Sequence, residues 1–187
     1  MTEVPLGADP RLDGPVTLVA YSPQWPSQFE GEAKRIRSAL GERALVIEHV
    51  GSTSVPGLIA KPVVDICLVV ADSADEPAYV PSLERAGYVL RIREPDWFEH
   101  RLLNGPDIAV NLHVFGAGSA EVDRMLRFRD RLRSDPADRE LYALTKRELA
   151  VRTWEYLQHY ADAKSEVVAA ITSRSLTSGS PVARRDE

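Results

Sequence analysis

The chain has 187 residues, 44% hydrophobic and 27% charged, enough for a folded domain with a sizeable core. Its formal net charge of -5 argues against a nucleic-acid partner, whose binding domains carry a basic face. Cys67 is the one cysteine, so no internal disulfide framework exists and a cytoplasmic location is expected; no apolar run approaches ~18 residues and no signal-peptide core opens the chain, so neither membrane insertion nor secretion is expected.

Residues 1–15 hold Pro5, Pro10 and Pro15 with little apolar periodicity, and read as a flexible, extended arm. Val16 to Ala20 reads as a short strand. Ser22-Pro23 reads as a helix start, because Ser caps free amides and Pro fits the first turn. Trp25, Phe29, Ala33, Ile36 and Leu40 then recur at helical spacing until Gly41. Trp25 and Phe29 are assigned to the core. Leu45 to Val50 and Pro62 to Val70 read as strands, joined by a link that holds a short helical turn after Ser54.

Asp72 to Ala74 is a turn, and Pro77 to Ala86 is a weakly patterned helix. Tyr88 to Ile92, Phe98 to Leu103 and Ile108 to Phe115 look like three more strands, the last two separated by the turn Asn104-Gly105-Pro106-Asp107. From Ser119 the chain turns helical. One helix runs to about Arg133, a second starts at Asp135-Pro136, and Trp154, Leu157, Tyr160, Ala161, Val168 and Ile171 mark a long amphipathic final helix. Residues 173–187, rich in Ser and Arg, read as a disordered tail. The order is strands first and helices last, which predicts an α+β fold.

The chemistry gathers at Ile47 to Leu58 and Lys61 to Ile66. An apolar run stops at Gly51-Ser52, a turn that can cradle phosphate: Gly admits close approach, while the Ser hydroxyl and following amides donate. The next apolar run carries Asp65, a carboxylate that is costly there unless paired. With a period of two, Val63, Asp65 and Cys67 share one strand face. On a later strand Asp107, Asn111 and His113 share a face, so Asp65 and His113 converge if those strands are neighbours. His113 is then a metal ligand, a base or a hydrogen-bonded core histidine. His49 either orients the loop, points at ligand or pairs with Glu48. Arg101, and Tyr160 with Lys164 one helical turn apart, offer groups for phosphate or carboxylate. No GxxxxGK[ST] occurs, and Gly116-x-Gly118 lacks the third glycine of a dinucleotide fingerprint.

Across roughly residues 16–172, taken as one domain, the chain resembles the GrpB family. The resemblance is carried by Glu48-His49-Val50-Gly51-Ser52-Thr53-Ser54-Val55-Pro56-Gly57-Leu58 with Lys61-Pro62-Val63-Val64-Asp65-Ile66. Tyr21 to Pro26, Asn111 to Val114, Phe128-Arg129-Asp130, Tyr160 and Lys164 add to it. It implies a nucleotidyltransferase-like fold: a mixed β-sheet with flanking helices and a helical C-terminal part. It further implies a nucleotide or other phosphate-bearing small molecule as ligand, with nucleotidyl transfer to a small acceptor as one outcome. The other outcome is a non-catalytic nucleotide- or anion-binding module. Under the enzyme reading Asp65 and His113 are catalytic and hold Mg2+ or Mn2+. Gly51, Ser52, Thr53, Lys61, Arg101, Tyr160 and Lys164 hold phosphate, and Glu48, His49 and Asn111 support them. One departure stands out. Enzymes of that fold carry alternate carboxylates on the strand, and the second position here is Cys67.

Overall fold

A computed structural model describes residues 11–177. In chain order the elements are β1 (Arg11–Gly14), α1 (Trp25–Leu40), β2 (Val46–Val50), β3 (Val64–Val70), α2 (Val80–Arg85), β4 (Val89–Glu94), β5 (His100–Asn104), β6 (Val110–Gly116), α3 (Ala120–Ser134), α4 (Pro136–Ala150), β7 (Trp154–Tyr156), α5 (Leu157–Asp162) and α6 (Ser165–Thr177). The five-stranded sheet runs β2-β3-β6-β5-β4 and is mixed: β3 and β6 pair in parallel, the other neighbours antiparallel. This is the expected α+β architecture, a mixed sheet with flanking helices and helices at the C-terminal end.

The sheet has two dissimilar faces. Val64, Ile66, Leu68 and Val70 of β3, with Val110, Leu112 and Val114 of β6, pack on Ile36 and Leu40 of α1 and Leu83 of α2. Each such buried aliphatic side chain contributes about 1.5–3 kcal/mol. The alternate residues face α3. There Val50, Cys67, Val69 and Phe115 meet Val122, while Asp65, Asn111 and His113 occupy the polar end of the same face. A third cluster, with Val55, Leu58, Leu132, Tyr142, Ala143 and Ile171, locks the loop after β2 onto α3, α4 and α6.

Several local expectations shift. Residues 1–10 of the expected arm lie outside the described residues, whereas Arg11–Gly14 pairs antiparallel with β7. The strand expected at Val16 to Ala20 is a single bridge, Val19 with Ala60. Helix α1 starts at Trp25, not after Ser22. Pro26 fills the first turn, where its missing N–H costs nothing, and Ser22 Oγ instead accepts from the Gln24 amide at 3.3 Å. The helical turn after β2 is Ser52–Ser54, earlier than expected. Pro77 to Ala86 divides into a 3-10 turn, Glu76–Ala78, and α2. The long final helix is interrupted: Trp154–Tyr156 is strand, because pairing with β1 satisfies its backbone, and α5 and α6 are separate. Residues 173–177, assigned to the tail, belong to α6, and residues 178–187 lie outside the described residues.

Candidate functional site

The site is built where β2 ends over β3. Gly51 has φ +66°, a left-handed conformation that glycine adopts without strain. A Cβ placed there would stand 2.9 Å from the Asp65 Cβ and collide with its Oδ2. Glycine therefore lets the backbone lie directly on the Asp65 carboxylate. The chain then winds into the turn Ser52–Ser54, whose three side chains point to three partners. Ser52 Oγ accepts from Lys146 Nζ at 2.8 Å. Thr53 Oγ1 lies 3.0 Å from His49 Nε2, and Ser54 Oγ donates to the Gly51 carbonyl at 2.6 Å.

Asp65 is held from the side by amides. Asn111, its register partner on β6, donates Nδ2 to Asp65 Oδ1 at 3.0 Å, and Asn104 of β5 donates to Asn111 Oδ1 at 3.2 Å. Burial alone would raise the Asp65 pKa. His113, Asn111 and the Lys61 charge outweigh it and bring the carboxyl below its ordinary value, so it is ionised at neutral pH.

His113 Nε2 is 3.7 Å from Asp65 Oδ1. Its Nδ1 meets His100 Nε2 at 3.1 Å, and His100 Nδ1 meets Glu94 Oε2 at 2.6 Å. The chain of contacts fixes the tautomers. A carboxylate only accepts, so His100 carries its proton on Nδ1. Burial, then the His113 and Arg101 charges, push the His100 pKa down to about 3, so His100 Nε2 is an acceptor. His113 must then donate from Nδ1. Its cationic form also turns an Nε2–H towards Asp65, the form that lowers the Asp65 pKa, whereas its neutral form leaves that nitrogen bare and able to take a proton.

Three lysines surround this carboxylate. Lys146 is 2% exposed and donates to Ser52 Oγ and to the Ile59 carbonyl. Burial, then the Lys164 charge, lowers its pKa to about 7 against the pull of Asp65. Lys164 stands in the turn between α5 and α6, with Nζ 4.1 Å from the Tyr160 ring centroid. Burial, then the Lys61 charge, lowers its pKa to about 8. Tyr142, on the Lys146 side of α4, bonds to Ser52; burial, then Tyr160, raises its pKa. Tyr160 is 2% exposed, and its hydroxyl has no hydrogen-bond partner among the described residues. Burial raises its pKa to about 12. The cluster is thus three ammonium groups, two phenols and a serine hydroxyl around one carboxylate.

Of the residues expected from sequence, Gly51, Ser52, Asp65, Asn111, His113, Lys61, Tyr160 and Lys164 are brought together. Thr53 belongs to the same turn, but its hydroxyl is engaged by His49. His49 lies on the opposite sheet face and orients the loop, and Glu48 pairs with Arg129 Nη1 at 2.6 Å. Arg101 is not in the site. It shares the Val114 face, opposite Asp65, and pairs with Glu76 at 2.6 Å. Asp107 does not share the Asn111–His113 face either, because β6 begins only at Val110; it pairs with Arg35. Lys146, Tyr142 and Asn104 were not anticipated. The signal for Lys146 was a cation at the i+4 position from Tyr142 on the apolar side of α4.

Cys67 sits behind Asp65 in the α3-facing core, with its thiol pushed up to about 12 by burial and then by Glu48 and Glu121. It stays a thiol at neutral pH. No group of three or more His, Cys, Asp or Glu that could hold a metal occurs among the described residues. One carboxylate beside three lysines does not by itself fit a resident Mg2+ or Mn2+, which takes several anionic oxygens. No helix among the described residues is long and apolar enough to cross a membrane.

This chain belongs to the GrpB family: the family model described as GrpB protein matches residues 15–174. It is 60% identical over 174 residues to a UPF0157 protein of Halalkalibacterium halodurans, covering 93% of this chain and 89% of that one. A solved GrpB structure, a conserved protein of Enterococcus faecalis, superposes with a TM-score of 0.72 at 30% identity, over 86% of this chain and 98% of that one. A protein of Mycolicibacterium paratuberculosis named dephospho-CoA kinase is 31% identical over 166 residues, which span 74% of this chain and 40% of that protein.

Proposed function

We propose that the lysine cluster around Asp65 binds a phosphate-bearing small molecule, a nucleotide in the first instance, through Ser52, Lys61, Lys146, Lys164 and Tyr160. One observation carries this reading: a buried ammonium group, Lys146, and a half-buried one, Lys164, share a single carboxylate with Lys61. Buried like charges are costly, and a bound polyanion relieves that cost. The Tyr160 hydroxyl, without a partner among the described residues, suits an acceptor oxygen on the ligand. The name of one relative, dephospho-CoA kinase, supports a phosphate-bearing ligand. In this reading the nucleotidyltransferase-like fold is retained as a binding frame.

Nucleotidyl transfer to a small acceptor is the second reading, and the Glu94–His100–His113 chain favours it. Neutral His113 offers Nε2 beside Asp65, where it would take the proton of an acceptor hydroxyl as that oxygen bonds to the α-phosphorus of a nucleoside triphosphate and pyrophosphate leaves. Calorimetric titration of ATP, first with chelator and then with Mg2+ or Mn2+, separates the readings. Under the binding reading affinity hardly changes with metal, and Asp65→Asn leaves it intact or tightens it by removing a negative charge. Binding that needs metal and disappears in Asp65→Asn supports transfer and removes the metal-free binding module.

A further inference from the structure

A cavity of about 430 Å³ opens on the other side of the Ser52–Ser54 turn, where β2 forms the sheet edge. That volume is in the range of small-molecule sites, roughly 300–1,000 Å³. One wall is aromatic. Phe29 of α1 stacks on the His49 ring with centroids 4.9 Å apart and planes within 9°, and Tyr21 lines the same wall. Burial, then Arg133 and Arg129, push the His49 pKa down to about 4, so this ring is neutral.

The other wall is made of guanidinium groups held in place by the protein. Arg129 donates to Glu48 at 2.6 Å and to the His49 carbonyl at 3.1 Å. Arg133 donates twice to the Ser54 carbonyl, at 3.0 and 2.8 Å, and its nearest carboxylate contact is 3.8 Å away at Asp130. Arg139 donates to the Leu132 and Arg133 carbonyls. Arg133 and Arg139 are thus hydrogen-bonded to neutral carbonyls, and Asp130 and Glu48 offset the Arg133 charge only through space, while Glu30 and Glu48 also line the cavity. Burial and the Arg129 charge lower the Arg133 pKa against the pull of Asp130 and Glu48. Fixed guanidinium groups recognise phosphate, and an aromatic wall offers a stacking surface to a planar ring.

We infer that this cavity is a binding site for a planar aromatic ring carrying a phosphate monoester, held between the Phe29–His49 stack and Arg133 with Arg139. It is distinct from the lysine cluster. The turn divides them: Ser52 reaches Lys146, whereas Thr53 and the Ser54 carbonyl reach His49 and Arg133.

Phenyl phosphate is the probe, titrated calorimetrically into the full chain and into Arg133→Gln, Arg139→Gln, Phe29→Leu and Lys164→Ala. Two binding events are expected in the unaltered protein. One is weakened about tenfold or more by Arg133→Gln, Arg139→Gln and Phe29→Leu and survives Lys164→Ala. Inorganic phosphate should bind there about tenfold more weakly, since it cannot stack. Thermal melts check folding; if loss of the Ser54 contacts unfolds Arg133→Gln, Arg139→Gln and Phe29→Leu carry the comparison. A single event, abolished by Lys164→Ala and indifferent to the cavity variants, overturns this inference and leaves the lysine cluster standing. The reverse pattern upholds the cavity and counts against the lysine cluster.

Discussion

Gly51 rests on Asp65 so closely that any side chain at the glycine would overlap the carboxylate. Gly51→Ala should therefore both strain a backbone at φ +66° and displace Asp65, costing about 1–3 kcal/mol of stability in urea titration. Gly57 is the control. Its φ is +80°, but a Cβ there meets nothing within 4 Å, so Gly57→Ala carries the conformational cost alone. Equal losses in the two variants would show that the contact with Asp65 does not matter.

Protons should follow the anion into the lysine cluster. Lys146 and Lys164 have folded pKa values near 7 and 8 against an ordinary 10.5. Between those limits the unfolded chain binds more protons than the folded one, so on their account stability rises as pH increases from about 7 towards 10.5. Sulfate, which stays dianionic across this range, should bind with net proton uptake at pH 8 and lose affinity as pH rises from 6 to 9. Calorimetry in buffers of differing ionisation enthalpy reads the uptake. Zero uptake would mean that the lysines do not hold the anion.

Lys146→Met keeps the length and apolar character of a side chain buried in α4 while removing its charge. Sulfate or nucleotide affinity should fall about 10- to 100-fold, the worth of one charge-assisted hydrogen bond. Circular dichroism should show the helices intact. An unaltered affinity would remove Lys146 from the binding surface and leave it a structural cation for Ser52 and the Ile59 carbonyl.

The tautomers of the histidine pair are directly observable. Nitrogen-15 chemical shifts at neutral pH should place the His100 proton on Nδ1, against Glu94, and the proton of neutral His113 also on Nδ1. Glu94→Gln removes the obligate acceptor and should allow both rings to reverse. A neutral His113 protonated on Nε2 in the unaltered protein would end its role as a proton acceptor beside Asp65.

The strand faces were legible because period-two parity is local: Asp65 and His113 each stand among apolar neighbours, and β3 and β6 do pair. Arg101 was misplaced because parity within β5 says nothing about which face of the sheet it meets; that depends on register with Val114. Lys146 was passed over because a lysine in the middle of a helix reads as solvated, and only the packing of α4 over the Ser52 turn shows otherwise. The break at Trp154–Tyr156 was hidden for a similar reason. Its strand partner is Arg11–Gly14, at the far end of the sequence, and no periodicity near Trp154 reports it.

Asp65 and His113 come from the one parallel strand pair of the sheet, and residues 71–109, with α2, β4 and β5, lie between those strands. A parallel pair cannot close through a tight hairpin, so the chain must close a loop of this length before the carboxylate meets the imidazole. Non-local pairing of this kind is slow to form. During refolding, recovery of ligand affinity should therefore trail the appearance of helix signal, and substitutions in β4 or β5 that never touch ligand would delay it further.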